Sequence, residues 1–271
     1  MFNDRVKTIN LGKLPAGSKD GYWVPDVNDA KLQEIADTFK LKLNTVTPGS
    51  EWYLYKNDEH KTTGIYVTFV ENIFTMYLFC EGVPSNTGDK DSSNKNYRAK
   101  QVYVAADNSS AKYSGVAQIK YIEGMNGSFI LWTAGPYSNN SAAYHDNYTY
   151  PIILSSVTSL YDNAKDFCFA GYFGNDSSNN AMYTVLASGK SGRQNTSDFY
   201  RMLFSSSADV TFLIPFMAYF ENLFYMFDDI FLRVIGRTDN TYYFTLGNQD
   251  YVHCKILNDV HFVMAIPSEE E

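Results

Sequence analysis

Ile65-Tyr66-Val67-Thr68-Phe69-Val70-Glu71-Asn72-Ile73-Phe74-Thr75-Met76-Tyr77-Leu78-Phe79 consists of two apolar runs parted by one polar pair. The runs are built from β-branched and aromatic side chains, which fit a pleated, half-buried surface. Asn tolerates positive φ where most residues do not. Glu71-Asn72 therefore reads as the turn of a short hairpin joining Ile65–Val70 to Ile73–Phe79, although it is not the favoured Asn-Gly pair.

The same texture runs outward in both directions. Tyr and Phe supply 41 of the 271 residues (22 plus 19), and runs of Asn, Ser, Asp and Gly separate the stretches that carry them. Those polar types are the ones that turns demand. Strands are expected at Trp52–Tyr55, Lys100–Ala105, Gly115–Ile122, Ser128–Thr133, Tyr150–Leu154, Phe167–Phe173 and Ala181–Leu186. Further candidates are Thr211–Tyr219, Leu223–Phe227, Tyr242–Leu246, Tyr251–Ile256 and His261–Ile266. Short strands at regular intervals with turns between them predict a mainly β fold, an antiparallel sandwich or barrel-like body.

Two segments depart from that pattern. Residues 1–27 are interrupted by Gly12, Pro15, Gly17, Gly21 and Pro25. They read as an extended N-terminal arm, too broken for a core strand, with Tyr22-Trp23 as its aromatic anchor and candidate assembly contact. One short helix follows over 29–40, capped by Asn28 or Asp29, with Leu32, Ile35, Ala36 and Phe39 on one face. Lys40 and Lys42 suit the negative pole at its end. Thr47-Pro48-Gly49-Ser50 is a turn, and 84–97 has the composition of a solvent loop. The β-rich domain then spans 28–271, with a break into two sub-halves placed near 135–150. Phe69 to Met76 is echoed by Tyr219 to Met226, which raises the question of a duplicated hairpin.

Charge narrows the partners. The formal net charge is −8, and the 22 Lys and Arg are scattered. A nucleic-acid binder needs a basic stripe against phosphates, so direct nucleic-acid binding is not expected. Phe212 to Phe227 is apolar apart from Glu221 and Asn222, but it is too short for a span and is closed by Asp228-Asp229. Buried core, not membrane insertion, is the expectation there. Met1-Phe2-Asn3-Asp4-Arg5 lacks the form of a secretory leader. Cys80, Cys168 and Cys254 lie widely spaced, two of them inside apolar runs, and read as buried free thiols of a protein folded in a reducing cytoplasm.

No constellation of catalytic side chains emerges. His253-Cys254 with His261 is the nearest approach to a metal cluster, beside His60 and His145. Zinc needs four ligands in paired spacings, and neighbours in a strand point to opposite faces. Asp89, Asp91 and Ser93 imitate the start of a calcium loop, but Asn94 and Lys100 stand where glycine and glutamate are required. No nucleophile elbow or phosphate-cradling loop appears, and Asp228-Asp229 would diverge along a strand. No catalytic residue, metal site or cofactor is expected, and the chain is not expected to be an enzyme. Two loops remain, Ser138 to Tyr148 and Gly174 to Asn180. They mix Tyr with Asn, Ser and Gly, so Tyr144, His145, Tyr148, Asn175 and Asn179 are candidate contacts for a protein neighbour or a sugar.

Taken whole, the chain resembles in overall style a bacteriophage or phage-tail-derived virion structural protein. The features that carry the likeness are the arm at 1–27, the helix at 29–40, the Tyr/Asn/Ser-rich strands and the absence of a leader. The acidic Ser268-Glu269-Glu270-Glu271 end adds to it. The resemblance implies synthesis in the host cytoplasm and assembly, with other virion proteins and copies of itself, into a tail, baseplate, neck or capsid-associated part. It carries over no functional residue. The competing class is a receptor- or glycan-binding sandwich, adhesin- or lectin-like, that takes a host-surface glycan.

Overall fold

A computed structural model describes residues 5–14, 16, 24–79, 97–98, 102–103, 117–134, 152–172, 181–195, 212–220, 222–234, 243–255 and 261–268. In chain order the elements begin with β1 (Lys7–Asn10), β2 (Gly12–Lys13), β3 (Val24–Pro25), α1 (Asp29–Thr38), β4 (Lys42–Thr47) and β5 (Glu51–Tyr55). After a 3-10 turn at Asp58–His60 come β6 (Gly64–Val70), β7 (Ile73–Phe79), β8 (Tyr97–Arg98), β9 (Val102–Tyr103), β10 (Gln118–Glu123) and β11 (Phe129–Ala134). The middle strands are β12 (Ile152–Ser159), β13 (Lys165–Tyr172), β14 (Ala181–Leu186) and β15 (Ser191–Asn195). The last are β16 (Phe212–Phe220), β17 (Leu223–Val234), β18 (Tyr243–Leu246), β19 (Gln249–Lys255) and β20 (His261–Ile266). The mainly β expectation holds, as a large curled antiparallel sheet that forms a half-barrel.

The opening hairpin forms as predicted. β6 and β7 pair from Gly64↔Phe79 to Val70↔Ile73. Both turn residues have positive φ, 50° at Glu71 and 63° at Asn72, which is the mirror-image turn that suits the right-handed twist of paired strands. β16 and β17 also form a hairpin, Phe220 opposite Leu223, with Asn222 at φ 71°. The two hairpins are not equivalent, however. Phe74 is buried, whereas its counterpart Phe224 is exposed; Val70 is exposed, whereas its counterpart Phe220 is buried. They also lie in different sheets, so the echo in sequence is not an echo of inside and outside.

α1 begins at Asn28, not Asp29: the Asn28 carboxamide accepts from the Lys31 amide at 3.0 Å. Its end differs from expectation. The Lys40 amide donates to the Asp37 carbonyl and the Leu41 amide to that of Ala36. This closure needs a left-handed residue, and Lys40 supplies it at φ 55°. Lys40 and Lys42 are therefore not dipole partners of the helix. Lys40 pairs with Glu123 at 2.8 Å and Lys42 pairs with Asp58.

Among the described residues, two of three buried apolar clusters are stacked across one wall. The central strands alternate strictly: Ile152 and Leu154 of β12 face one core, Ile153 and Val157 the other. Phe167 and Phe169 of β13 face the first, Cys168 and Ala170 the second. The first core is closed by α1 and by the inner face of β5, β6 and β7, through Trp52, Val67 and Phe74. The second is closed by the curl of the same large sheet, through Phe216, Phe227 and Met264. Burial on both faces explains why these strands read as unbroken apolar runs. Burial also pushes the Cys168 thiol well above its ordinary pKa.

Part of the 1–27 segment belongs to this core. β1 pairs with β10, Ile9 opposite Ile119, and Ile9 and Leu11 are buried. The glycines and prolines that break the segment lie after Asn10, so four extended residues precede them. Pro215 falls at a register shift in β16, a strand whose ladder partner is β17, as a residue without an amide proton requires. No helix among the described residues is long and apolar enough to cross a membrane.

Candidate functional site

β12 has two neighbours on one edge. β11 pairs with Ile152–Leu154 and β17 with Val157–Ser159, so the sheet forks between them. The β10–β11 turn fills the fork. Asp229 of β17, only 1% exposed, accepts from the Asn126 amide at 2.8 Å and from its side chain. Met125 donates to the Ala265 carbonyl of β20. A Cβ at Gly124 would stand 3.1 Å from the Asp229 carboxylate, so the turn approaches as closely as it does because residue 124 is glycine. Asp228, next in sequence, points the other way and accepts from Thr158 at 3.0 Å. The pair thus diverges, and Asp229 acts as a latch.

Beyond the fork an exposed apolar ridge runs along two turns. The β12–β13 turn is tight: Ser159 donates to Ala164, Asn163 donates back to Ser159, and Asn163 takes φ 57°. Asp162 accepts from the Ala164 amide at 3.0 Å. The Ser159 hydroxyl and that amide hold its carboxyl below the ordinary carboxylate value. Leu160 then donates to the Phe224 carbonyl at 2.9 Å and ties this turn to the β16–β17 hairpin. Across that hairpin the Tyr219 and Phe224 rings pack at a tilt of 46°, with centroids 4.9 Å apart. The Tyr219 hydroxyl donates to Asn222 at 2.7 Å.

Leu160 is 52% exposed, Tyr161 83%, Tyr219 43% and Phe224 48%. Leaving a large apolar side chain in water forgoes roughly 1.5–3 kcal/mol of burial. Four such side chains lie together on turns fixed by hydrogen bonds, and large exposed apolar patches mark interaction sites in many proteins. The ladder places Met217, Met226, Thr158 and Lys165 on the same face of the sheet.

Among the residues singled out from sequence, Tyr22, Trp23, Tyr144, His145, Tyr148, Asn175 and Asn179 all lie outside the described residues. So do the expected break at 135–150 and the loop carrying Asp89, Asp91 and Ser93. His253 stands opposite Val263, and His261 opposite Lys255. No group of three or more metal-ligating side chains gathers among the described residues. The ridge itself was missed. Its one trace in sequence is Leu160-Tyr161, an apolar pair placed directly against the turn-forming Asp162-Asn163.

The fold and the ridge together define a mainly β antiparallel module with an exposed apolar ridge. Comparison with protein-family models, curated proteins and solved structures finds no match to the chain.

Proposed function

We propose that this chain is a non-enzymatic assembly component of a multi-copy particle, of the virion structural kind, and that it docks to protein neighbours through the ridge. The observation that carries the reading is the row Leu160, Tyr161, Tyr219 and Phe224, held out of the core on two rigid turns. Aromatic and methionine side chains are enriched at the centres of protein interfaces. The style of the sequence supplies the virion part of the proposal, with assembly in the host cytoplasm and no role for nucleic acid, metal or cofactor. Mass spectrometry of purified particles tests it: the chain is expected among their stoichiometric components, and Tyr161→Ser with Phe224→Ser should reduce its incorporation. Absence from particles, or incorporation that the double variant leaves unchanged, would reject the reading. Glycan recognition is the second reading, favoured by the Tyr219 ring beside the Asn222 carboxamide. Binding on a glycan array, abolished by the same double variant, would favour it instead.

A further inference from the structure

We propose that Asn126-Gly127 is a site of spontaneous deamidation gated by the fork. The closed latch restrains the reaction, and the aspartate or isoaspartate that results keeps the fork from closing again. Asn-Gly occurs once in the chain, at this turn. Asparagine is thermolabile, and a following glycine has no side chain to hinder cyclisation. Asn126 is exposed, so water reaches the step. Gly127 takes φ 73°, and among the described residues its amide donates to no acceptor. Nothing there withholds that nitrogen from reaction.

The Gly127 amide gives its proton to hydroxide, and its nitrogen attacks the side-chain carbonyl carbon of Asn126. A C–N bond forms, the Cγ–Nδ2 bond breaks, and a succinimide closes. The departing nitrogen takes a proton from water, which returns the hydroxide, and leaves as ammonia. Water then opens the ring to aspartate or isoaspartate. One water is consumed and one ammonia released, with no oxidant or reductant. The atom that must leave, Nδ2, is the one that Asp229 holds, and the same carboxylate holds the Asn126 backbone amide. Cyclisation therefore waits on local opening of the fork. Afterwards a carboxylate stands where Nδ2 donated, against an Asp229 that is 1% exposed. Two like charges cannot both ionise in such a site, and isoaspartate also adds a methylene to the backbone of the turn.

Peptide mass spectrometry of the full chain, incubated in mildly alkaline buffer with and without guanidinium chloride, follows the exchange of NH2 for OH at residue 126. The folded chain is expected to deamidate at least about tenfold more slowly than the unfolded one, because the fraction of time that the latch is open sets the ratio. Asp229→Ala should close most of that gap. Asp229→Asn keeps the shape of the side chain and should fall between, which preserves the test if circular dichroism shows the alanine variant unfolded. Deamidated chain, separated by ion exchange on its added negative charge, should unfold at a lower denaturant midpoint than unmodified chain. No exchange at residue 126 in the unfolded chain overturns the site. A folded chain that reacts as fast as the unfolded one, or a folded Asp229 variant no faster than wild type, overturns the gating. Equal midpoints for modified and unmodified chain overturn the claim that the fork cannot close again.

Discussion

Asp228 and Asp229 are neighbours with opposite duties. The Asp229 carboxylate is the acceptor for two Asn126 donors inside the sheet fork, whereas half-buried Asp228 receives one hydroxyl from Thr158. Removing a buried acceptor leaves its donors unsatisfied, so Asp229→Ala should cost about 2–3 kcal/mol and Asp228→Ala less than about 1 kcal/mol. Denaturant unfolding of the two variants measures the contrast. Asp29 offers a second test at this scale. The Gly49 amide and then the Trp52 indole hold its carboxyl below the ordinary 3.8. A carboxyl depressed by folding stabilises the fold above its unfolded pKa, and that contribution is lost as pH falls through the lower, folded one. Asp29→Asn should therefore make the acid limb of stability shallower below about pH 4, leaving the part that the depressed Asp162 carboxyl contributes. Trp52 fluorescence reports it directly, because the indole N–H donates to Asp29 at 2.7 Å.

At the scale of the element, the two hairpins set the clearest contrast. Phe74 lies in the first core, so Phe74→Ala should cost roughly 3–5 kcal/mol, whereas exposed Phe224→Ala should cost less than about 1 kcal/mol. Thermal melts of the two variants decide it. Glu71 and Asn72 both take positive φ, which penalises an ordinary side chain by roughly 1–2 kcal/mol. Replacing the pair by Asn-Gly should raise the melting temperature by about 2–4 °C for each kcal/mol regained. The turns were legible in sequence because positive φ has its own residue vocabulary. Which face was buried was not legible. Tyr219-Phe220 and Phe224-Tyr225 put aromatics on both sides of their strands, so alternation carried no polarity. Phe69, Phe74, Phe220 and Phe224 looked alike, yet Phe74 and Phe220 are buried, Phe69 is half-buried and Phe224 is exposed.

The whole molecule depends on pairings that no local pattern announces. Lys7–Asn10 looked like part of a loose arm, because its worth lies in β10, more than 100 residues away. β4 was equally unmarked: its exposed Lys, Asn and Thr side chains suit an edge that only β5 covers. Deleting residues 1–13 removes Ile9 and Leu11 from the core, and should cost at least about 2–5 kcal/mol in equilibrium denaturation. The forked strand β12 has a consequence in time. Most of the ladders join consecutive strands, such as β4 to β7 and β12 to β15, and such local contacts close quickly. The fork requires β17, from a distant stretch of chain, to arrive beside the consecutive strands β11 and β12 at one junction. Loop closure of that span precedes any reward from the contacts it makes, so meeting at the junction is expected to set the folding rate. Removing the Asp229 latch should then slow refolding as well as hasten unfolding, whereas shortening the Glu71-Asn72 turn's strain should leave the refolding rate nearly untouched.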